Sequence, residues 1–405
     1  MVDGERANPP SDKALERRTG RWLRSEPFEC FVQVAPGLEG ALAEELRGGG
    51  FPTVVAWERG GASLALDHAD VMRANLVLRT ASRVLLRIGS FAAATPEMLF
   101  DNVGRIPWEL HLGRSDTYAL RITSRSSKLQ AGDGVANTIA RAVAKRLRPL
   151  GLHPAPAEHA TLEFAIRIVD DRCTVSFNTS GEHLHRRGVR RHVNDAPVRE
   201  TIAAGVALHA FRAHDVIVDP FCGSGTLLLE AADLVAGRLP GRGRSFGFES
   251  AAWHRPGRWR EVRRLATARA AEAAAAPAPR LVGMDVDPEA LAAARHNLSE
   301  GDHAHVDLAL GDATALDLDR FAAQRGLVVA NVPYGVRLGE RADAATTLRR
   351  FLERCAAATS PWDLALLTTH PHLVREHEAL EVEHMRTIAS GGLRVTMVTA
   401  RTEGS

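Results

Sequence analysis

Hydrophobic and polar residues alternate along several segments of the first 182 residues. Residues 28–34 read Phe-Glu-Cys-Phe-Val-Gln-Val, and residues 118–123 alternate in the same way. A period of two residues predicts strands that bury one face. Strands are predicted at 28–34, 53–57, 63–66, 82–88, 118–123, 162–169 and 174–178, and helices at 38–47, 69–75 and 134–147. The two kinds of element follow one another irregularly, which indicates an α+β region.

From residue 199 onward, short apolar strands alternate regularly with helical segments. Strands are predicted at 216–219, 281–285, 306–310, 327–331, 363–368 and 395–400, and helices at 226–235, 288–298 and 344–357. Regular alternation of this kind predicts an α/β domain with a parallel, doubly wound sheet. Residues 236–280 are rich in alanine, arginine and proline and interrupt the pattern, so they are predicted to form an insertion at one edge.

The first 27 residues and the spacing of the cysteines argue against a secreted, membrane-bound or disulfide-linked protein. Residues 1–27 are polar, include Pro9, Pro10 and Gly20 and show no hydrophobic period, which predicts a disordered arm. Neither a signal peptide nor a membrane span is expected. The four cysteines are far apart, so neither a zinc site nor a disulfide framework is expected, and a reducing cytoplasm is the simplest setting.

The net charge of +2 hides an uneven distribution of basic residues. Arginine-rich runs with few acids occur at 114–148, 183–199 and 238–264. Such runs are commonly solvated surfaces, but three of them in a nearly neutral chain favour contact with phosphates. The candidates for this contact are Arg125, Lys128, Arg141, Lys145, Arg186, Arg187, Arg190 and Arg191.

A glycine-containing segment follows the first apolar strand of the second half. It reads Asp-Pro-Phe-Cys-Gly-Ser-Gly-Thr from Asp219 to Thr226 and opens a helix, where glycines let a ligand approach the backbone. Position 228 is leucine, so the third glycine of a dinucleotide fingerprint is missing. Asp219 favours a ligand with a cationic or hydroxyl-bearing end. The alternative interpretation is a plain strand–turn–helix corner.

The next two strands end in carboxylates as well. Asp285 stands where doubly wound folds hold a pair of ribose hydroxyls, and Asp287 before Pro288 is predicted to cap a helix. Asp312 is a candidate acceptor for an adenine amine, with a turn aspartate as the alternative. Acids that follow successive strands indicate one ligand site at the carboxyl edge of the sheet.

The fourth strand of this half ends in Asn-Val-Pro-Tyr, a segment that suits methyl transfer to an amine. An exocyclic base amine is a poor nucleophile because its lone pair is delocalised into the ring. The amide oxygen of Asn331 and the carbonyl of Val332 can accept from such an amine and aim its lone pair at an electrophilic methyl group. Pro333 fixes the backbone, and Tyr334 offers a ring on which a base can stack. The alternative is an Asn-x-Pro turn with a buried tyrosine.

Together these motifs resemble those of class I methyltransferases that use S-adenosylmethionine, and in particular the THUMP-domain RNA guanine-N2 methyltransferases. Ser-Gly-Glu-His-Leu-His-Arg-Arg-Gly at 180–188 is followed by Ala-Pro-Val-Arg-Glu-Thr-Ile-Ala at 196–203 and then by the glycine segment, an order typical of that family. Residues 239–250 and Gly-Gly-Leu-Arg-Val at 391–395 are similar to the branch that methylates guanine in large-subunit rRNA. The tRNA-modifying branch shares the same core.

The resemblance implies an architecture and a cofactor. It implies a ferredoxin-like module at 28–90, a THUMP domain at 91–182 that grips structured RNA, and a Rossmann-like class I methyltransferase domain at 183–405, without room for a second enzyme. The implied cofactor is S-adenosyl-L-methionine, and no metal and no membrane are expected as partners. The residues implied to bind the cofactor are Pro197, Arg199, Asp219, Phe221, Gly223, Gly225, Thr226, Asp285, Val286, Asp312, Ala313 and Asn331.

The resemblance also implies a reaction. Residues Asn331, Val332, Pro333 and Tyr334 match the catalytic tetrapeptide, although the usual residue at position 332 is proline. Methyl transfer to the N2 amine of guanosine in 23S rRNA is expected, with tRNA as the alternative substrate. DNA amines and protein glutamine are other substrates of this tetrapeptide, and an inactive RNA-binding protein is a further alternative. The missing third glycine disfavours a nicotinamide dehydrogenase.

Overall fold

In a computed structural model, the chain forms two β-sheets in sequence order, with helices packed against both. The structure describes residues 9–188, 198–211, 214–274, 278–303, 305–321, 323–334, 340–390 and 392–404. The strands are β1 (Phe28–Val34), β2 (Val54–Glu58), β3 (Gly61–Leu66), β4 (Ala81–Ala92), β5 (Thr117–Arg125), β6 (Ala155–Pro156), β7 (Leu162–Val169), β8 (Arg172–Asn178), β9 (Val216–Asp219), β10 (Arg280–Asp285), β11 (Asp307–Leu310), β12 (Gly326–Asn331), β13 (Trp362–Thr368), β14 (Leu380–Ser390) and β15 (Leu393–Thr402). The helices are α1 (Asp12–Leu23), α2 (Glu39–Gly48), α3 (His68–Val77), α4 (Pro96–Arg105), α5 (Asp133–Leu147), α6 (Glu200–Ala210), α7 (Thr226–Val235), α8 (Pro256–Ala273), α9 (Pro288–Glu300), α10 (Glu340–Ala356) and α11 (Pro371–Arg375). Within the part of the chain that the structure describes, none of the helices combines the length and apolar character that a bilayer crossing requires.

The first sheet has eight strands in the order β2-β3-β1-β4-β8-β7-β5-β6. β4 pairs with β1 on one side and with β8 on the other, and so continues one sheet through both predicted modules. The predicted division between residues 90 and 91 therefore falls inside a strand. β5 pairs in parallel with β6 and β7, whereas the other neighbours are antiparallel.

One face of the first sheet is covered and the other is open. On the covered face, alternate strand residues such as Val32, Phe164 and Val175 belong to one hydrophobic core with residues of α2 to α5. The residues between them, including Arg87 and Arg167, point to the opposite side and line a solvent-accessible cleft. The alternation of hydrophobic and polar residues in the sequence thus separates the two faces of the sheet, as predicted.

The second sheet has seven strands in the order β11-β10-β9-β12-β13-β15-β14. Its first five members are parallel. At one edge the β14–β15 hairpin adds β15, which is antiparallel to β13, and β14, which is antiparallel to β15. Both faces are buried, because Ile217 and Val329 belong to one hydrophobic core while Val218 and Val328 belong to another that includes α10. The strand order reverses at β9, and this is where ligands bind in open α/β sheets. The parallel, doubly wound architecture confirms the predicted fold class.

The prediction of a disordered arm at residues 1–27 is wrong for α1. This helix is polar, and contacts with the following strand and with residues far along the chain hold it in place. Trp22 stacks on Phe28 with ring centroids 4.5 Å apart, and Arg18 forms an ion pair with Glu109 at 3.2 Å. Tertiary packing supplies what the local sequence lacks. Residues 1–8 lie outside the described residues.

The two sheets share a hydrophobic core, and the predicted insertion at 236–280 contributes to it. Its helix α8 packs against α3 of the first half. Trp253 is 1% exposed, and its ring lies edge-on to Phe177 of β8 at 6.1 Å between centroids. Leu38, just before α2, lies against Gly205 of α6, where an added Cβ would stand 2.8 Å from the leucine side chain. The insertion and α6 therefore join the two halves.

Candidate active site

The carboxyl ends of parallel strands bring the predicted cofactor residues to one edge of the second sheet. β9 ends at Asp219, β10 at Asp285 and β12 at Asn331, and Asp312 follows β11. In the register of β9 and β10, Asp219 pairs with Gly283. Because the edge lies at the switch point of the sheet, residues that are far apart in sequence form one candidate ligand site.

The loop between β9 and α7 has a shape that requires glycine. Gly223 and Gly225 have positive φ angles of 54° and 84°. The Gly223 N–H donates to a carboxylate oxygen of Asp285 over 2.8 Å. From α9, the buried amide of Asn297 donates to the Ser224 carbonyl over 3.0 Å, a contact that sequence reasoning missed. No described atom lies within 4 Å of a Cβ built on Gly223, so this part of the loop faces space that a ligand can enter.

Asp285 presents its carboxylate beside this loop. One oxygen accepts from Gly223, and the other accepts from the N–H of Asp287 over 3.0 Å. Each carboxylate oxygen has a second lone pair, so Asp285 can also accept two hydroxyl hydrogens, as a ribose offers. Asp287 accepts from the N–H of Glu289 over 2.8 Å, which confirms its predicted role as the cap of α9.

Asp219 is a buried carboxyl group. It is 1% exposed and accepts from the Phe221 N–H over 3.2 Å. Burial and the nearby charge of Asp285 raise the pKa of Asp219 from 3.8 to about 8. The neutral form of the group is favoured below that value, and a cationic ligand beside it favours the ionised form.

Asp312 lies just after β11, the outermost parallel strand of the second sheet, where the apolar Leu310 ends β11 and the apolar Val286 directly follows β10. Asp312 is exposed, and one oxygen accepts from both the N–H and the hydroxyl of Thr314 over 2.8 Å, so it has the role of a turn aspartate. The apolar side chains of Val286 and Leu310 are 71% and 66% exposed. Exposed apolar side chains beside acids suit the faces of a flat ring. Sequence reasoning did not include Leu310, although an apolar residue directly before Gly-Asp at a strand end is a usable signal.

Three other predicted cofactor residues lie partly within the core. Thr226 and Ala313 are 8% and 4% exposed. Phe221 packs edge-to-face on Phe351 of α10, with ring centroids 5.1 Å apart. These side chains help to shape the edge, and a direct contact between any of them and a ligand stays a prediction.

The tetrapeptide after β12 brings an amide and a phenol together. The Tyr334 hydroxyl donates to the amide oxygen of Asn331. Burial raises the pKa of Tyr334, which keeps its hydroxyl protonated. Val332 is 1% exposed, and its N–H donates to the Leu367 carbonyl over 3.1 Å. A proline at position 332 would lack this donor, so the departure from the usual residue adds one hydrogen bond between neighbouring strands. Pro333 is exposed.

The connector before α6 lies only partly within the described residues. Pro197, Arg190 and Arg191, which were predicted to contact cofactor or RNA, fall outside them. Arg199 is described, is exposed and stands at the N-cap of α6. Its contact with a cofactor stays a prediction.

Five predicted RNA-binding side chains are exposed. Arg141 and Lys145 of α5 both lie over the ring of Phe100, at 5.7 and 5.0 Å from its centroid. Arg186 forms an ion pair with Glu182 at 3.0 Å and remains 64% exposed. The other two exposed side chains are Arg125 and Lys128. Their accessibility is compatible with phosphate contact, which stays a prediction.

The prediction that Arg187 binds RNA is wrong because the side chain is buried. Its Nε and Nη2 donate to the two carboxylate oxygens of Glu230 over 3.0 and 3.2 Å. Nη1 donates to the Leu184 carbonyl over 3.0 Å, and Nη2 also donates to the Arg79 carbonyl over 2.8 Å. Arg187 therefore ties the start of the connector to α7, the helix that follows the glycine loop. Sequence gave no signal for this pair, since Glu230 resembles any polar helical residue.

Part of the basic run at 238–264 is used for contacts inside the protein. Arg242 forms an ion pair with Asp233 at 2.7 Å. Arg244 donates to backbone carbonyls, including those of Glu182 over 2.8 Å and His183 over 2.7 Å, and burial lowers its pKa to about 10. Arg244 holds the segment at 180–186 in place, and Arg242 is tied to α7. The other arginines of the run include the exposed Arg258, Arg260, Arg263 and Arg264, so phosphate contact by this run stays a prediction.

Three family models match the chain. A RlmL ferredoxin-like domain matches residues 29–85, a THUMP domain matches residues 93–178, and an RMKL-like methyltransferase domain matches residues 187–396, just over half of the chain. The chain belongs to the RMKL-like methyltransferase family. This assignment and the two N-terminal matches confirm the predicted resemblance.

Individual relatives of this RMKL-like methyltransferase agree with the family match. The chain is 33% identical over 382 residues to a ribosomal RNA large subunit methyltransferase K/L from Syntrophotalea carbinolica, covering 92% of this chain and 53% of the relative. The chain thus spans about half the length of the curated relatives it matches. Two solved structures, a methylase from Clostridium difficile 630 and SMU.472 in complex with S-adenosylhomocysteine, are each 26% identical to it, with TM-scores of 0.82 and 0.81. Each match covers 94% of this chain and 99% of the solved chain.

Proposed function

We propose that this chain transfers a methyl group from S-adenosylmethionine to the exocyclic N2 amine of a guanosine in structured RNA, with 23S rRNA as the substrate. The observation that carries the proposal is the position of Asn331 and Tyr334 at the same sheet edge as Asp285 and the glycine loop. The THUMP match and the name of the Syntrophotalea carbinolica relative support an rRNA substrate.

The residues at the edge fit S-adenosylmethionine. Asp285 has acceptor positions for ribose hydroxyls, and Val286 and Leu310 offer apolar surface to a purine. Asp219 favours a cationic end because its ionised form is stabilised by a positive neighbour. When bound, this cofactor supplies an electrophilic methyl group on a sulfonium. The S-adenosylhomocysteine in the SMU.472 structure supports the same choice.

Asn331 holds and orients the target amine in this proposal. The amine donates one hydrogen to Asn331 Oδ1 and the other to the Val332 carbonyl, which directs the nitrogen lone pair toward the methyl group. The Tyr334 hydroxyl uses one lone pair of Oδ1, and the amide oxygen has a second for the amine. Tyr334 thereby fixes the orientation of the amide before the substrate arrives, in addition to its predicted role as a stacking surface.

The proposed division of labour assigns RNA binding to the first half and chemistry to the second. The proposed ranges are 28–90 for the ferredoxin-like module, 91–182 for the THUMP domain and 183–405 for the methyltransferase domain, with β4 continuing across the first division. The family matches fall within these ranges and support them.

The test is a methyl-transfer assay that lets the chain choose among substrates. The purified chain is incubated with methyl-labelled S-adenosylmethionine and, separately, with 23S rRNA, tRNA, DNA and protein from a strain that lacks its gene. Mass spectrometry of the digested products then identifies the modified nucleoside. We expect N2-methylguanosine in 23S rRNA.

The other outcomes separate the alternatives. If N2-methylguanosine appears in tRNA, the proposed reaction is correct and the substrate is tRNA instead of 23S rRNA. A methylated adenine in DNA or a methylated glutamine in protein would overturn the proposal. Binding of S-adenosylmethionine without transfer to any of the four substrates would favour an inactive RNA-binding protein.

A further inference from the structure

We propose that the open face of the first sheet binds a single-stranded segment of RNA through its phosphates. This inference rests on the proposed function, because it takes RNA as the substrate. The open face is defined here by Phe31, Arg83, Arg87, Arg121, Arg167 and Ser176, which line one cleft. Composition and sequence runs did not identify this surface, since its arginines come from β4, β5 and β7.

The register of the strands builds a trough on this face. Arg121 of β5 lies beside Ala165 of β7, Ala165 lies beside Ser176 of β8, and Ser176 lies beside Arg87 of β4. Two arginines are thus separated by two small residues across four neighbouring strands. At about 4.8 Å between strands, the trough is roughly 14 Å wide between the two arginine strands. A narrow trough with guanidinium groups at its sides suits an extended polyanion.

Glu163 holds two arginines at one end of the trough. Its carboxylate accepts from Arg121 Nε over 2.9 Å and from Asn178 Nδ2 over 2.9 Å, and lies 3.5 Å from Arg83 Nη2. One carboxylate thus fixes two guanidinium groups and leaves a net positive charge. The buried Nε of Arg83 has no hydrogen-bond partner among the described residues, although buried donors normally have one. This Nε is covered by protein, so a phosphate in the clefts would contact the outer parts of the Arg83 and Arg121 side chains that line them.

The positive charge of the open face is concentrated on one side. Arg87 is paired with Glu29 at 2.5 Å and with Glu58 at 2.9 Å, and lies 5.3 Å from the centroid of the Phe31 ring. Arg167, by contrast, is exposed, and Arg121 keeps 48% of its side chain exposed. The accessible charge therefore lies with Arg121 and Arg167, and the half-buried Phe31 offers an aromatic surface on the other side.

The trough continues toward the catalytic half. Arg83 and Arg121 also line a second cleft of about 670 Å³, which adjoins the first cleft of about 330 Å³. The second cleft is also lined by His183 and Arg186. These residues lie just before the connector that leads to Arg199 and α6. A strand that follows both clefts would pass from the first sheet to the half that carries Asn331.

Shape and charge favour a single strand over other occupants. A duplex is contacted from outside across its wide minor groove, whereas single strands follow positively charged grooves with aromatic side chains alongside. An acidic protein segment shares the charge but not the regular spacing of phosphates. The open face is accordingly assigned to single-stranded RNA, and an acidic peptide serves as the competing probe.

The test uses the full chain with two exposed arginines changed. Arg121→Gln and Arg167→Gln are combined, and binding of a mixed-sequence single-stranded RNA of about 12 nucleotides is measured by fluorescence anisotropy over a salt series. We expect roughly tenfold weaker binding at low salt. The slope of log K against log salt should decrease by about 1.4, because two phosphate contacts are lost.

Matched variants make the readout specific. The double change Arg349→Gln and Arg350→Gln removes the same charge from the exposed side of α10 and should leave affinity and slope near wild type. The double change to lysine at positions 121 and 167 should restore the slope. Equal loss of affinity in both glutamine pairs, or tighter binding of a polyglutamate peptide than of the RNA, would overturn the assignment.

Methylation kinetics separate this inference from the proposed function. If the wild-type chain methylates RNA, the variant at positions 121 and 167 should raise KM for that RNA roughly tenfold with kcat nearly unchanged. If this variant is active and its KM is unchanged, the open face does not bind the RNA substrate, while the proposed function still holds. A wild-type chain that binds the oligonucleotide with the expected slope but methylates no RNA would reject the proposed function alone.

Discussion

The first sheet keeps one face accessible to solvent, whereas the second sheet is covered on both faces. In the first sheet, alternate residues such as Val32 enter the core while Arg87 and Arg167 point outward. In the second sheet, consecutive residues such as Ile217 and Val218 enter two different cores. A covered sheet can offer a ligand only its strand ends, so its candidate chemistry lies at Asp285 and Asn331. An open sheet can offer a whole face, and here that face is rich in arginine.

The largest effect is expected at the contact that joins the two regions. Arg187→Ala leaves Glu230 buried without its bidentate partner, and breaking a buried pair in this way costs roughly 3–5 kcal/mol. Urea denaturation should show a lower midpoint. The neighbouring change Arg186→Ala removes an exposed ion pair and should shift the midpoint little. If the Arg187→Ala variant is as stable as wild type but binds RNA more weakly, the structural role is contradicted and the original prediction that Arg187 contacts RNA is supported.

A change at the edge of the second sheet should affect catalysis rather than stability. Asn331→Ala removes the amide oxygen proposed to orient the amine, and turnover should fall by roughly 100-fold or more. Binding of S-adenosylmethionine, measured by calorimetry, should change little. The matched change Asn102→Ala removes a partly exposed amide in the first region and should leave turnover at the wild-type level. Near-normal methylation by Asn331→Ala would reject the assignment of this residue.

The buried Asp219 should give the second region a pH dependence of its own. Its pKa is raised from 3.8 to about 8, so the folded chain holds a proton there that the unfolded chain releases. The contribution of Asp219 to stability is therefore complete below about 3.8 and is lost as pH rises to about 8, at up to ~1.4 kcal/mol per pH unit. In thermal denaturation between about pH 5 and pH 8, which covers the upper part of that window, Asp219→Asn should lack this decline. An Asp219→Asn profile identical to that of the wild-type chain would argue against a raised pKa at this position.

The smallest effect is expected at position 332. Val332→Pro introduces the residue usual in related tetrapeptides and removes the N–H that donates to Leu367. Loss of this hydrogen bond should cost about 1 kcal/mol, while kcat should stay within a few-fold because the carbonyl is retained. Denaturation and single-turnover kinetics measure the two effects separately. A loss of turnover as large as that of Asn331→Ala would show that the side chain of Val332, and not only its carbonyl, positions the substrate.

Local patterns predicted most strands and the residues at the ends of the parallel ones. The order of Asp219, Asp285 and Asn331 after three apolar runs was sufficient to place them at one edge, because parallel strands in a doubly wound sheet share that edge. Elements without a pattern were missed. α6 is buried on nearly all sides and has no amphipathic period, and β14 is a charged edge strand.

Long-range contacts account for the other differences. Arg186 and Arg187 are adjacent and identical in type, yet one is exposed and the other buried, and only the fold distinguishes them. The open face shows the opposite case, in which residues far apart in sequence come together in the fold. Arg83, Arg121 and Arg167 are dispersed in sequence and form a single surface only after β4, β5 and β7 are placed in one sheet.

The contact between Leu38 and Gly205 has a consequence for how such chains diverge. A Cβ at position 205 would stand 2.8 Å from a terminal methyl group of Leu38, so a larger residue there requires the Leu38 side chain to shift across the boundary between the halves. A gene that acquires a foreign N-terminal half by recombination inherits only one side of this pair. Exchange of modules among relatives therefore brings residues 38 and 205 together in new pairs, and each pair has to fit the same space.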